Sequence, residues 1–270
     1  MDMSNLSTTH QFDVVIVGSG GAGLSLALSL PEHFNIAVLA KSTLTDASTY
    51  FAQGGVAAVL DETDSIQQHI DDTMIAGAQL CEIDAVKHTV EGGRPSVDFL
   101  LNHGVQFTLD EDEQLHLTRE GGHSQRRIIH SADATGKAIS TTLVQRAQEK
   151  KNIHIFENYI AIDLITTHKL GHKQQSNRAV GLYALDESNE KVHTFLAPFT
   201  ALACGGAMKA YLYTSNPDIA TGDGIAMAYR AGCRVANMEF NQFHPTCLYH
   251  PKARSFLITE AMRGEGAYLR

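Results

Sequence analysis

The chain has 270 residues, with 21 Lys and Arg against 30 Asp and Glu and a formal net charge of −9 at pH 7. That length suits one large domain or two, and lets the chain bury roughly three quarters of its unfolded surface. With 43% hydrophobic and 19% charged residues the composition is that of a soluble globular protein. The acidic balance excludes a nucleic-acid partner, because neutralising phosphates requires a basic face.

Residues 1–11 are polar and lack the basic and apolar regions of a signal peptide. No apolar run approaches the roughly twenty residues that cross a bilayer, so a cytoplasmic protein with no membrane partner is expected. The four cysteines, Cys81, Cys204, Cys233 and Cys247, form no CxxC pair and are expected to be reduced and mostly buried. The 14 histidines show no metal-ligating spacing on a helix, so no metal is expected.

In chain order, residues 12–17 (FDVVIV) form a continuous apolar, β-branched run that reads as a buried parallel strand. Residues 18–23 make a glycine turn. Residues 22–30 carry Leu24, Ala27 and Leu28 at helical spacing, and Pro31 stops the helix. Residues 35–39 (NIAVL) are a second strand, which completes a βαβ unit. Residues 42–55, rich in Ser, Thr and Gly, read as a loop. Helices are predicted over 65–77, 84–103, 135–150 and 223–232. Strands are predicted over 152–165, 178–183 and 194–203, the last running into Cys204-Gly205-Gly206.

Gly18-Ser19-Gly20-Gly21-Ala22-Gly23 fits G-x-G-x-x-G between strand and helix. The missing side chains allow a tight turn and close approach of backbone to a pyrophosphate at the helix N-terminus. The second strand ordinarily ends in an acidic residue that binds a ribose, but here Lys41 follows Leu39-Ala40. Such a lysine either lies near cofactor phosphates or is a solvated surface charge.

Lys41, the loop Ser48-Thr49-Tyr50-Phe51-Ala52-Gln53-Gly54-Gly55, Ala203-Cys204-Gly205-Gly206, Thr221-Gly222-Asp223-Gly224 and the segments 241–246 and 259–266 occur in one order. Together they resemble the flavoprotein family of succinate dehydrogenase and fumarate reductase, over nearly the whole span from Phe12 to Arg270. The resemblance implies an α/β fold: a Rossmann-like FAD-binding domain, a parallel sheet with helices plus extra β-strands, followed by the start of a capping domain. It places the first domain at 1–237 and the beginning of an α+β substrate-capping domain at 238–270. It assigns pyrophosphate contacts to Ser19, Gly20, Gly21 and Ala22, and further FAD contacts to Lys41, to residues 48–55 and to Asp223. Read from the residues alone, Asp223 accepts from a ribose or ribitol hydroxyl or simply starts a helix.

Two positions narrow the resemblance. Respiratory members carry a flavin-linking His where Ser48 stands, so FAD is expected to be bound non-covalently. The relatives that handle fumarate and succinate have an apolar aromatic residue where Glu120 stands. A carboxylate there repels a plain dicarboxylate and attracts an amino group, which favours L-aspartate; otherwise Glu120 is a surface carboxylate paired with Arg119 or Arg126.

The resemblance further implies that Gln242, His244, Thr259 and Glu260 line the dicarboxylate site, with Glu120 and His244 closest to the chemistry. Without it, His244 is a loop histidine and Thr259-Glu260 a helix-capping pair. The implied reaction is FAD-dependent oxidation of L-aspartate to iminosuccinate with oxygen or fumarate as acceptor, the first step of quinolinate and NAD biosynthesis, coupled to quinolinate synthase. A soluble fumarate reductase and a non-catalytic FAD-binding module are the competing readings. Family members run on past the position of Arg270, so this 270-residue form is expected to have little or no oxidase activity.

Overall fold

The computed structural model describes residues 8–132, 134–244, 246–248, 256–258 and 266–268. In chain order the elements are β1 (Thr9–Gln11), β2 (Val14–Val17), α1 (Gly21–Ser29), β3 (Ile36–Ala40), β4 (Val56–Ala57), α2 (Ile66–Ala76), α3 (Ile83–Glu91) and α4 (Gly93–Asn102). They continue with β5 (Leu117–Thr118), β6 (Ile128–Ile129), α5 (Thr135–Glu149), β7 (Ile153–Glu157), β8 (Tyr159–Thr166), β9 (Ala179–Asp186), β10 (Lys191–Leu196), β11 (Phe199–Leu202), α6 (Asp223–Arg230), β12 (Cys247–Leu248) and β13 (Phe256–Leu257). Contacts divide the chain into one unit of Met1–Tyr50 with Leu143–Phe243, and a second of Phe51–Thr142 with His244–Arg270.

The first unit holds two sheets. One is parallel throughout, in the order β11-β2-β3-β7; the other is mixed, in the order β1-β10-β9-β8. The apolar runs of β2 and β3 are buried at every position, as parallel strands covered on both faces must be. Val15, Val17, Ala37 and Leu39 from the parallel sheet pack with Leu164, Leu182, Ala184 and Phe195 from the mixed sheet and Met227 from α6 in a single core. Phe195, fully buried, lies 5.0 Å from the ring of Phe156, 4.6 Å from that of His10 and 5.9 Å from that of Tyr159.

The chain passes between these two sheets at three tight corners: residues 12–13 between β1 and β2, Asn158 between β7 and β8, and residues 197–198 between β10 and β11. The corners at Asn158 and at residues 197–198 each split a strand that the sequence reads as continuous, over 152–165 and 194–203. Asn158 adopts φ 61°, a left-handed conformation that Asn tolerates and that ends the ladder. Pro198 has no amide hydrogen to continue one. The predicted helix over 84–103 is likewise two helices, α3 and α4, broken at Gly92-Gly93. Elsewhere α1, α2, α5 and α6 lie where hydrophobic spacing puts them, within one or two residues at each end. Ser65 caps α2 by accepting from the Gln68 amide at 3.2 Å.

The second unit contains a small antiparallel sheet, β4-β6-β5, and the helices α2, α3 and α4. Ile70, Val86 and Val90 form a core between α2 and α3, with Ile66, Met74 and Cys81 against it. The strands β4, β5 and β6 span two residues each and leave no period for sequence reading to find. The cysteines depart from expectation: all four are free, but Cys81 and Cys204 are half-buried and Cys233 and Cys247 exposed. Among the described residues no helix is long and apolar enough to cross a membrane.

Replacing Phe195 by Ala is predicted to cost about 3–5 kcal/mol, the penalty of emptying an aromatic site in a packed core. Leu170→Ala, at a residue 54% exposed, is predicted to stay within about 0.5 kcal/mol of the parent. Urea unfolding of the two variants checks the core assignment; equal midpoints for both would refute it.

Candidate functional site

The carboxyl ends of β2, β3 and β11 open into a cleft of about 600 Å³ in the first unit, where open α/β sheets place their ligands. Backbone bonds continue the ladder just past the strand ends: the Gly18 amide donates to the Leu39 carbonyl at 2.8 Å, and the Ala203 amide to the Val17 carbonyl at 2.8 Å. Gly18 has φ 117°, and a Cβ there would stand 2.2 Å from the Ala203 carbonyl oxygen. A Cβ on Gly23 would stand 1.9 Å from the Gly18 carbonyl oxygen. These two glycines therefore serve the turn and the approach of α1 to the sheet.

Gly20 and Gly21 do something else. A Cβ at either would meet only the Thr49 and Ala47 side chains, at 3.3 Å or more, so their bareness keeps the cleft wall low. The Gly21 amide donates to Thr49 Oγ1 at 2.9 Å, which ties the glycine turn to the loop after β3. The first turn of α1 carries no acidic residue, and its positive dipole end faces the cleft beside Ser19, Gly20, Gly21 and Ala22. Glycine cradle, helix N-terminus and cleft volume fit the pyrophosphate of a dinucleotide.

Lys41 follows neither of its two expected roles in simple form. Its Nζ donates to Asp223 Oδ2 at 2.6 Å and to Thr221 Oγ1 at 2.5 Å. The two ion-paired side chains are 28% and 36% exposed, so the pair adds at most about 1 kcal/mol of stability. Its effect is to hold Asp223, the first residue of α6, at the cleft wall with Gly222 before it at φ 81°. Gly224 follows because Cys204 lies beneath it: a Cβ there would be 2.8 Å from the cysteine Cβ and Sγ. Cys204 Sγ donates to the Val17 carbonyl at 3.4 Å. Burial, followed by the nearby Asp223 charge, pushes its pKa up to about 11.

Of the loop 48–55, Ser48 and Thr49 line this cleft, and Ser48 Oγ donates to Asn216 Oδ1 at 3.3 Å. Tyr50 is half-buried in the same unit. Phe51, Ala52, Gln53, Gly54 and Gly55 belong to the second unit. There the Ala52 carbonyl accepts from the Gly136 amide at 2.9 Å, and the Gln53 carbonyl from Thr135 Oγ1 at 3.5 Å. Gly55 is pressed onto β6, where a Cβ would stand 2.2 Å from the Ile129 carbonyl oxygen. Glu120 stands over this loop. Its Oε1 accepts from the Gly55 amide at 3.4 Å, and both carboxylate oxygens lie within 3.8 Å of where a Gly54 Cβ would be.

The second unit also holds a charged cluster that the sequence reading missed. Arg127 is fully buried and pairs with Asp64 and Asp72. No local pattern announces it, since its partners lie 63 and 55 residues away.

In the closing segment, Gln242 is exposed and belongs to the first unit, while half-buried His244 belongs to the second. His244 Nδ1 accepts from the Thr246 amide at 3.3 Å, which leaves the proton on Nε2 and makes that atom the donor. Thr259 and Glu260 lie outside the described residues. Among the described residues no group of three or more His, Cys, Asp or Glu is arranged to hold a metal.

Residues 13–270 match the family described as FAD binding domain. The chain is 87% identical to the L-aspartate oxidase of Acinetobacter baylyi over 268 residues, which is 99% of this chain and 49% of that relative. It is 59% identical to the L-aspartate oxidase of Pseudomonas aeruginosa, over 98% of this chain and 50% of the relative. The chain thus spans about half the length of the curated relatives it matches. Among solved structures it resembles an E. coli quinol fumarate reductase with a TM-score of 0.88 and 32% identity, over 96% of this chain and 43% of that one.

Alkylation with iodoacetamide at mildly alkaline pH is predicted to label exposed Cys233 and Cys247 first and Cys204 last, because the raised pKa keeps the Cys204 thiol protonated. Peptide mass spectrometry over a time course checks the order. Early labelling of Cys204 would contradict it.

Proposed function

The chain belongs to the FAD binding domain family, and on that premise we propose that it is the FAD-binding part of an enzyme that oxidises L-aspartate to iminosuccinate. Ser19, Gly20, Gly21 and Ala22 receive the pyrophosphate of FAD, while Lys41, Asp223 and residues 48–55 hold the rest. The bare glycine turn and the cleft at the strand ends support this. The cofactor, when bound, takes up the hydride that leaves the substrate α-carbon. Ser48 has no imidazole with which to link a flavin, so the cofactor is held non-covalently. We further assign residues 1–237 to the cofactor domain and residues 238–270 to the beginning of a capping domain.

The observation that carries the choice of substrate is the Glu120 carboxylate held over Gly54 and Gly55. An anion in this place disfavours a substrate that offers only carboxylates, and it accepts a hydrogen bond from an amino group. Glu120 thereby orients the amine. His244, with its proton on Nε2, donates to a substrate carboxylate. Gln242, Thr259 and Glu260 complete the dicarboxylate site in this reading. The imine product hydrolyses readily in water, which fits consumption by a quinolinate synthase on the way to NAD. The identity to named L-aspartate oxidases supports the assignment over half of their length.

The test uses two forms loaded with FAD: the 270-residue chain, and a chimera that continues it with the C-terminal half of the Acinetobacter baylyi enzyme. Anaerobic L-aspartate is expected to bleach the flavin of the chimera, and acid precipitation is expected to release that flavin into solution. Glu120→Gln is expected to raise the KM for L-aspartate about 10–100-fold, the equivalent of losing one hydrogen bond to a charged group. A flavin that ignores L-aspartate but, once reduced, is reoxidised by fumarate would sink the proposal in favour of a fumarate reductase.

A further inference from the structure

Arg127 contributes more to the second unit than its one charge suggests. Its guanidinium is fully buried, and all three of its nitrogens are used. Nε and Nη2 donate to the two oxygens of Asp64, each at 2.8 Å, and Nη1 donates to Asp72 Oδ2 at 2.7 Å. Asp64 is as deeply buried as the arginine, with its side chain 1% exposed. The same Asp72 oxygen also accepts from the Ser124 amide and from Ser124 Oγ, both at 2.8 Å. Around the cluster lie His123, with Nδ1 3.4 Å from Arg127 Nη1, and His69, whose ring centroid is 5.5 Å from that of His123. Burial and then the Arg127 charge hold both imidazoles below their usual range, so they stay neutral and Arg127 supplies the local positive charge.

A buried ion network of this kind is a poor device for stability, since desolvating the charges offsets much of their attraction. What it fixes well is geometry, because a planar guanidinium gripping two carboxylates leaves few alternative arrangements. The geometry fixed here is informative. Asp64 lies one residue before Ser65, the N-cap of α2, and Asp72 lies on the helix, so both anchors are set by one helix and its approach. Arg127 immediately precedes β6, and its carbonyl accepts from the Ala58 amide at 2.9 Å just beyond β4. Ser124 lies in the segment between β5 and β6 that also carries Glu120. That segment is thus tied to α2 at two points, at Ser124 and at Arg127. Gly55, whose amide donates to Glu120, is pressed onto β6 directly after Arg127.

We propose that Arg127, acting with Asp64 and Asp72, is a positioning residue for Glu120. It locks the 119–126 segment and β6 to helix α2, and so sets the place of the carboxylate relative to Gly54 and Gly55. The inference rests on the reading of Glu120 as the group that selects an amino-dicarboxylate. Loosening the network then weakens recognition of the amine and leaves recognition of the carboxylates intact.

The test compares Arg127→Lys, Ser124→Ala and Glu120→Gln in the FAD-loaded chimera described above. Calorimetry gives the dissociation constants of L-aspartate and of succinate, which has the same two carboxylates and no amine; turnover gives KM and kcat separately. Arg127→Lys keeps the charge but loses the fork, and is expected to weaken L-aspartate about 10-fold, as removal of a supporting partner typically does. Ser124→Ala, at an exposed residue that leaves the buried ions in place, is expected to act in the same direction with a smaller size. Succinate binding is expected to stay within about twofold in both. In the Glu120→Gln background, Ser124→Ala is expected to add nothing, since coupled groups act as one.

Equal weakening of both ligands would show a merely structural role and overturn the proposal. So would unchanged L-aspartate affinity in Ser124→Ala together with either unchanged affinity or misfolding in Arg127→Lys. If Glu120→Gln leaves the preference for L-aspartate over succinate unaltered, the reading of Glu120 fails, and this inference fails with it. If Glu120→Gln abolishes the preference but the other two variants keep it, only the role of Arg127 is refuted.

Discussion

Three strand ends have to converge on residue 18. The chain leaving β2 turns at Gly18 with its α-carbon against the carbonyl of Ala203 from β11, while its amide is donated to Leu39 of β3. No side chain fits there, and helix α1 can leave at the necessary angle only because Gly23 lies equally bare against the Gly18 carbonyl. The other features of the cleft follow from that convergence. The N-terminal end of α1 is delivered to the strand ends, Lys41 emerges from β3 beside it, and Cys204 emerges from β11 with its thiol on the Val17 carbonyl. Cys204 in turn requires a glycine at 224, which brings the start of α6 and Asp223 to the same wall.

The two units solve their electrostatic problems in opposite ways. Around the cleft of the first, charge is sparse and open to solvent: Lys41, Asp223, Arg234 and a helix dipole, each able to take up a polar ligand at little cost. In the second, charge is sunk to full burial in Arg127 and Asp64 and saturated with hydrogen bonds. The first arrangement suits a surface that has to accept a cofactor. The second suits a frame that has to hold a single shape around Glu120.

Much of the first unit was legible in the sequence. FDVVIV, the glycine turn, and NIAVL each carry a local signal, and the hydrophobic period located α1, α2, α5 and α6. Legibility failed where structure depends on distant partners or on single residues. The corners at Asn158 and Pro198 interrupt runs that remain apolar on both sides, so composition alone reads through them. The strands β4, β5 and β6 are too short for any pattern of their own, and β4 finds its partner β6 only across some seventy residues of chain, as in Val56 against Ile129. At the site, Gly18 to Gly23 and Lys41 were visible as a motif and as a departure from one. The pairing of Lys41 with Asp223 was not, because it joins positions 182 residues apart. Arg127 escaped for the same reason, in a stretch whose adjacent arginine and histidines make one more charge unremarked.

The corners between the sheets carry a mechanical consequence. At residues 12–13, at Asn158 and at residues 197–198 the chain crosses from one sheet to the other with no slack to let either move alone. The two sheets are sewn together at three points, like cloth along a seam, and loosening one edge pulls directly on the facing edge. Their amides should therefore exchange with solvent through one shared opening, with β3 and β9 showing equal protection rather than one sheet fraying before the other. Because the floor of the cleft is made of strand ends in this seam, that floor moves only when the entire fabric does.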